Sequence, residues 1–147
     1  MPRVNVTETS PYTSMQLYAL VMDVEHYPEF LPWCKAARIL THHDDADFEA
    51  ELMISFKHIR ESYVSQVVGD IATHSIHVAM LRGPFHHLVN DWQFEAHPEG
   101  GCIIHFHLDF AFKNIFLEKI IGALFHKATQ KMVAAFKERA VALYGTS

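Results

Sequence analysis

The chain has twelve histidines, and His105, His107 and Asp109 recur at i, i+2 and i+4 of one segment. On a strand that spacing puts two imidazoles and a carboxylate on one face, a donor set that could in principle hold a transition metal. The intervening Phe106, Leu108 and Phe110 are apolar and must face a core, so the triplet faces solvent, without the enclosing contacts a metal site needs. His42-His43 and His86-His87 fall at expected turns, where side chains diverge. The carboxylates of Glu8, Asp23, Glu25, Glu29 and Asp109 are candidates for acid or base work, but their spacing pairs none of them. Asn90 and Arg82 fall on expected inner faces and suit ligand orientation better than proton transfer. Cys34 is read as a small buried hydrophobe rather than a nucleophile. No serine-nucleophile motif, phosphate-cradling glycine loop or HExxH pattern occurs. These residues point to binding, with no catalytic residue, metal ligand or cofactor assigned.

The elements that must position such groups follow from hydrophobic period. A short strand around Val4 and Val6 precedes a helix whose start is marked by Thr13 and Gln16, a capping box, with Leu17, Leu20, Val21 and Val24 behind it. The segment Tyr27 to Cys34 places Phe30, Leu31 and Trp33 around Pro28 and Pro32. The prolines lack backbone donors and restrict the residues before them, so this is a short helical turn or a stiff loop. Six strands are expected next: Ala36 to Thr41, Asp47 to Lys57, Arg60 to Val68, Ser75 to Arg82, Leu88 to His97 and Cys102 to Lys113. Short turns at His43-Asp44-Asp45, Gly69-Asp70, Gly83-Pro84 and Pro98 to Gly101 make them an antiparallel meander.

After Asn114, a good N-cap, the period changes from 2 to 3.6, and Leu117, Ile121, Leu124, Ala128, Met132, Ala135 and Phe136 form one stripe up to a stop at Gly145. Such a helix runs roughly 45 Å, enough to lie across a sheet. A straight helix on a curled sheet touches it only in part, leaving an elongated space. Its walls would be the apolar faces of the strands: Phe48, Ala50, Leu52, Ile54 and Phe56; Ile76, Val78 and Met80; Leu88, Trp92 and Phe94; and Ile104, Phe106, Leu108, Phe110 and Phe112. Leu124 and Met132 would face them from the helix. A ligand there would be apolar and elongated, held mainly by burial. The alternative is that these side chains simply pack together.

At 147 residues, half of them hydrophobic, the chain fits one α+β domain over residues 1–147. Two cysteines are too few for a disulfide scaffold. No apolar run of about 20 residues and no signal core occurs, so the protein is expected in the cytoplasm or as an already processed chain, with peripheral contact at the inner membrane as an option. The net charge of −5 argues against DNA binding, although residues 113–147 hold six basic and two acidic side chains. A basic C-terminal segment could meet anionic lipid or ribosomal RNA, or be a solvated helix face. Phe30, Leu31 and Trp33, with the apolar helix start Ile115, Phe116, Leu117, Ile120 and Ile121, either touch a bilayer or pack in the core.

Three motifs in order carry a family resemblance: Tyr27 to Cys34; Gly83-Pro84-Phe85 with Leu88, Trp92 and Phe94; and Phe106 to Phe112 followed by Asn114. The chain resembles the START-like helix-grip fold, and within it the coenzyme Q-binding family, whose bacterial members are also described as oligoketide cyclase-like proteins or as a ribosome association toxin. The resemblance implies a protein that holds ubiquinone or another prenylated lipid in its cavity and supports respiratory electron transfer as a chaperone, without catalysis. It implies that Phe30, Leu31 and Trp33 sit at the cavity mouth and that Trp92, Phe94, Phe106, Leu108 and Phe110 line or floor it; the whole segment from Tyr27 to Cys34, placed between the capped helix and the sheet, reads as a lid, with Tyr27 among the ligand-binding residues. Two alternatives remain: a toxin of a toxin-antitoxin pair that acts on the large ribosomal subunit, and an aromatic polyketide cyclase. Residues Thr41 to Ser62 show no matching motif.

Overall fold

In a computed structural model, the described residues are 3–31, 33–56 and 59–145, with the side chains at 56, 59, 117, 120–126 and 128 outside the description. Seven strands form one antiparallel sheet: β1 (Arg3–Ser10), β2 (Cys34–Asp44), β3 (Asp47–Phe56), β4 (Ile59–Asp70), β5 (Ser75–Arg82), β6 (Phe85–Ala96) and β7 (Cys102–Phe112). Their order is β1-β7-β6-β5-β4-β3-β2, so the meander β2 to β7 is sequential and β1 is added beyond its last strand. Register shifts in β2–β3, β4–β5 and β6–β7 mark bulges, which bend a sheet and increase its twist.

The connection between β1 and β2 holds α1 (Ser14–Met22) and a 3-10 helix over Val24–Glu29. Thr13 caps α1 as expected: the Gln16 N–H donates to Thr13 Oγ1 at 3.1 Å, and the Thr13 N–H donates to Gln16 Oε1 at 2.9 Å. The proline-bracketed segment begins as a helical turn, with Pro28 inside the 3-10 helix, while Pro32 lies outside the described residues. Pro is tolerated there because its fixed φ suits helical backbone in a short turn.

β7 alternates most clearly. Cys102, Ile104, Phe106, Leu108 and Phe110 are buried, and Ile103, His105, His107 and Asp109 are half-buried on the other face. The chain ends in α2 (Ile115–Tyr144), whose Asn114 side chain accepts from the Phe116 N–H at 2.8 Å. Its buried stripe is Thr129, Val133, Phe136 and Ala140, with Met132 partly buried beside it. The expected stripe thus holds at Met132, Ala135 and Phe136. It missed Thr129, Val133 and Ala140, while Leu117, Ile121, Leu124 and Ala128 lie outside the described side chains.

The C-terminal part of α2 is tied down at four places. Tyr144 Oη donates to the Gln16 carbonyl at 2.9 Å, its ring lies 5.7 Å from Tyr12, and Lys137 and Arg139 each sit 3.3 Å from Glu8 and Glu29. α1 also approaches the sheet closely at Gly69, where a Cβ would collide with the Tyr18 hydroxyl and with the end of Met22. Glycine is what lets helix and strand meet there.

Candidate functional site

Between the concave sheet face and α2 lies a cavity of about 230 Å³. Its walls are almost wholly apolar. Phe106 and Leu108 of β7, Trp92 and Leu88 of β6, and Val78 and Ile76 of β5 form one side. Ala50, Leu52 and Ile54 of β3 form the other. Thr129, Met132 and Phe136 roof it from α2, and Val21, Val24, Tyr27, Leu31, Trp33 and Cys34 close the side under α1 and the 3-10 helix. The space is somewhat larger than the about 150 Å³ of an apolar cavity known to hold a benzene ring. It takes a ring and a short length of chain, while a long tail has to extend beyond it.

Of the residues expected at the site, Tyr27, Leu31, Trp33, Leu52, Ile54, Val78, Trp92, Phe106, Leu108 and Met132 border this cavity. Four others lie elsewhere. Phe30 packs edge-on against Phe136 and Tyr27, with ring centroids 5.1 and 6.0 Å away. Phe94 stacks beside Trp92 at 5.8 Å, at the far end of β6. Phe110 has no exposure and is enclosed between Phe85 and Phe112, at 6.2 and 5.5 Å. Met80 shares the inner face but approaches Gly83 at the end of its hairpin. For Phe94, Phe110 and Met80 the reason is that a strand face extends past the cavity, so facing inward does not mean lining it, whereas Phe30, at the end of the 3-10 helix, turns its ring to α2. Phe56 and Leu124 lie outside the described side chains.

Phe30 and Leu31 are engaged inward rather than presented to solvent, whereas Ile115 and Phe116 at the start of α2 are 64% and 71% exposed. No helix among the described residues is long and apolar enough to cross a membrane.

Of the two polar residues expected on inner faces, Asn90 of β6 borders the cavity, whereas Arg82 is exposed at the end of β5 and does not. Glu61, Tyr63 and Ser65 of β4 also reach it and were not singled out in the sequence. The Asn90 amide is occupied, accepting from Trp92 Nε1 at 2.9 Å and donating to the His107 carbonyl at 3.0 Å. It therefore fixes the Trp92 ring. Tyr27 Oη donates to the Val21 carbonyl. Burial pushes the Tyr27 and Tyr63 hydroxyls far above the ordinary phenol value and the Cys34 thiol up to about 11. All three stay protonated at neutral pH, so none is a ready base or nucleophile.

On the outer face, His105, His107 and Asp109 turn to different partners. His105 meets Glu95 at 3.2 Å and His107 meets Asn5 at 2.7 Å, while Asp109 accepts from His87 at 2.9 Å with Arg3 at 3.3 Å. His86 and His87 sit within β6 rather than at a turn, because the hairpin is confined to Gly83-Pro84.

The family described as polyketide cyclase / dehydrase and lipid transport matches residues 10–137 of the chain. The chain belongs to that family. Within the polyketide cyclase/dehydrase and lipid transport family it is similar to the ribosome association toxin RatA of Rickettsia prowazekii, 38% identical over 91% of this chain and 92% of the relative. It is also similar to the mitochondrial coenzyme Q-binding protein COQ10 of Dictyostelium discoideum, 34% identical over 97% of this chain and 70% of that protein. The solution structure of the 18 kDa protein CC1736 from Caulobacter crescentus superposes with a TM-score of 0.81 at 36% identity, covering 99% of this chain and 100% of the other. A START superfamily protein from Mycobacterium smegmatis shares the fold at 18% identity, with a TM-score of 0.76 over 96% and 98% of the two chains. The α+β helix-grip architecture expected from the sequence is the observed one.

Proposed function

We propose that the protein binds an apolar lipid with a quinone-type ring, such as ubiquinone, and carries it without transforming it in support of respiratory electron transfer. The observation that carries this reading is the apolar cavity between sheet and α2, large enough for a ring and walled by Leu52, Val78, Trp92, Phe106 and Met132. Burial at about 25 cal/mol per Å² would supply most of the affinity. The coenzyme Q-binding name of one relative supports the same ligand class. Ile115 and Phe116, the most exposed large apolar side chains among the described residues, would supply any peripheral contact with the inner membrane. Mass spectrometry of an organic extract of freshly purified protein tests the proposal. A prenylated quinone is expected, and a cyclic aromatic polyketide would instead favour a cyclase.

A second reading, inhibition of ribosomal subunit association, is favoured by the relatives named RatA. Lys113, Lys119, Lys127 and Lys131 are exposed for contact with RNA, whereas Lys137 and Arg139 are already paired with Glu8 and Glu29. Binding to purified large subunits that weakens steeply with salt would support it, because phosphate contacts release counterions. Lipid capture should barely respond to salt.

A further inference from the structure

We propose that Glu61, Tyr63 and Ser65 form a polar rail that selects the hydroquinone form of a quinone-type ligand over the oxidised form. This rests on the lipid-binding reading above. The three residues alternate along β4, so they share one face of the strand. They stand opposite Ile54, Leu52 and Ala50 of β3 and all border the cavity.

The rail holds unused hydrogen-bonding capacity within the cavity. Ser65 is 3% exposed and its Oγ has no partner among the described residues. A buried hydroxyl without a partner is rare in folded proteins and calls for an explanation. No hydrogen bond or ion pair among the described residues engages the Glu61 carboxylate or the Tyr63 hydroxyl either. By contrast, Asn90 and Tyr27 spend their polar atoms on the protein itself. An apolar tail alone leaves the rail unsatisfied. A ligand that brings oxygen atoms to β4 completes it.

The chemistry of the rail is asymmetric. The Tyr63 and Ser65 hydroxyls can donate or accept, so they serve a carbonyl and a hydroxyl equally. A carboxylate only accepts. Facing the carbonyl of a quinone, Glu61 sets lone pairs against lone pairs. Facing the O–H of a hydroquinone, it receives a charge-assisted hydrogen bond, the stronger kind. Discrimination therefore lies with Glu61, while Tyr63 and Ser65 anchor either form. No redox step on the protein is involved.

The test measures binding of a decyl-substituted dimethoxy-methyl benzoquinone and of its hydroquinone, kept reduced under argon, to the full chain. Quenching of Trp33 and Trp92, which both border the cavity, gives the signal. The hydroquinone is expected to bind about tenfold tighter, as one charge-assisted hydrogen bond allows. Glu61→Gln, nearly isosteric and able to donate, should reduce the ratio to about twofold or less. Ser65→Ala and Tyr63→Phe should weaken both forms and leave the ratio in place. Equal binding of the two forms by the unaltered protein, or a ratio unchanged in Glu61→Gln, overturns the rail and leaves lipid binding standing. Failure to bind either form, or the apolar probe N-phenyl-1-naphthylamine, overturns both.

Discussion

The guanidinium of Arg139 lies 5.1 Å above the centre of the Phe30 ring, sandwiching the tip of the 3-10 segment against α2. The same ring meets Phe136 edge-on at 5.1 Å, and Arg139 reaches Glu29 at 3.3 Å. This clamp holds Leu31 and Trp33 against the cavity, although Phe30 itself does not border it. The aromatic packing should dominate, because Glu29 is exposed and its ion pair is screened. Phe30→Ala should cost about 2 kcal/mol, less than a fully buried Phe because the ring is only partly covered. Arg139→Gln should cost about 1 kcal/mol or less. Urea midpoints of the two variants check the order, and equal costs would mean that the contacts of Arg139 weigh as much as the packing of the ring.

Gly69 sets the distance between α1 and the sheet. Gly69→Ala should destabilise the protein by about 1–3 kcal/mol, as small-to-large changes at packed sites do. Because the collision is with the Tyr18 hydroxyl and the flexible end of Met22, adding Tyr18→Phe should recover part of that loss. If the double variant melts no higher than Gly69→Ala, backbone strain rather than this contact is responsible.

Two ion pairs, one on the outer sheet face and one in the 3-10 segment, predict pH dependence of opposite sign. The hydrogen bond from His87, helped by Arg3, holds the Asp109 carboxyl below its ordinary value. A depressed carboxylate contributes stability above the unfolded value, near pH 4, and loses it as pH falls through the folded one. The Asp23 carboxylate raises His26 above its ordinary value, so its contribution is full below about pH 6.5 and fades as pH rises through the folded value. Asp109→Asn should flatten the acid limb of a thermal-stability profile, and Asp23→Asn the neutral limb. NMR titration of His26 checks the second directly; a midpoint at or below 6.5 would contradict it.

Cys34 borders the cavity with its thiol raised to about 11 by burial. In a Cys102→Ala background it should react only slowly with a disulfide reagent at pH 7, since the thiolate is the reactive form. A bound lipid should slow it further. Stopped-flow absorbance measures both, and a rate indifferent to lipid would place the ligand elsewhere.

Elements that bury one face by a clean rule were legible in the sequence. β7 shows its alternation residue by residue, and the Thr13 capping box fixed the start of α1. β4 was opaque because both of its faces carry polar groups: Glu61, Tyr63 and Ser65 inward, and Ser62 and Gln66 on the other side. With no contrast in hydrophobicity, period 2 does not say which face is inside. Only the pairing with β3, whose Ala50, Leu52 and Ile54 are unambiguous, resolves it. Phe94 and Phe110 illustrate the converse. Their face was readable, but their distance from the cavity depends on where α2 crosses, which no local pattern encodes.

β1 finds its sheet partner in β7 rather than in β2, so the first strand of the sheet in chain order pairs only with the last. Closing so long a loop is entropically unfavourable, and such non-local pairings slow folding. Until then β2 to β6 can assemble as an open trough without a roof. Because α2, the roof of the cavity, follows every strand that walls it in chain order, the container is closed by the last element of the fold rather than by its sheet.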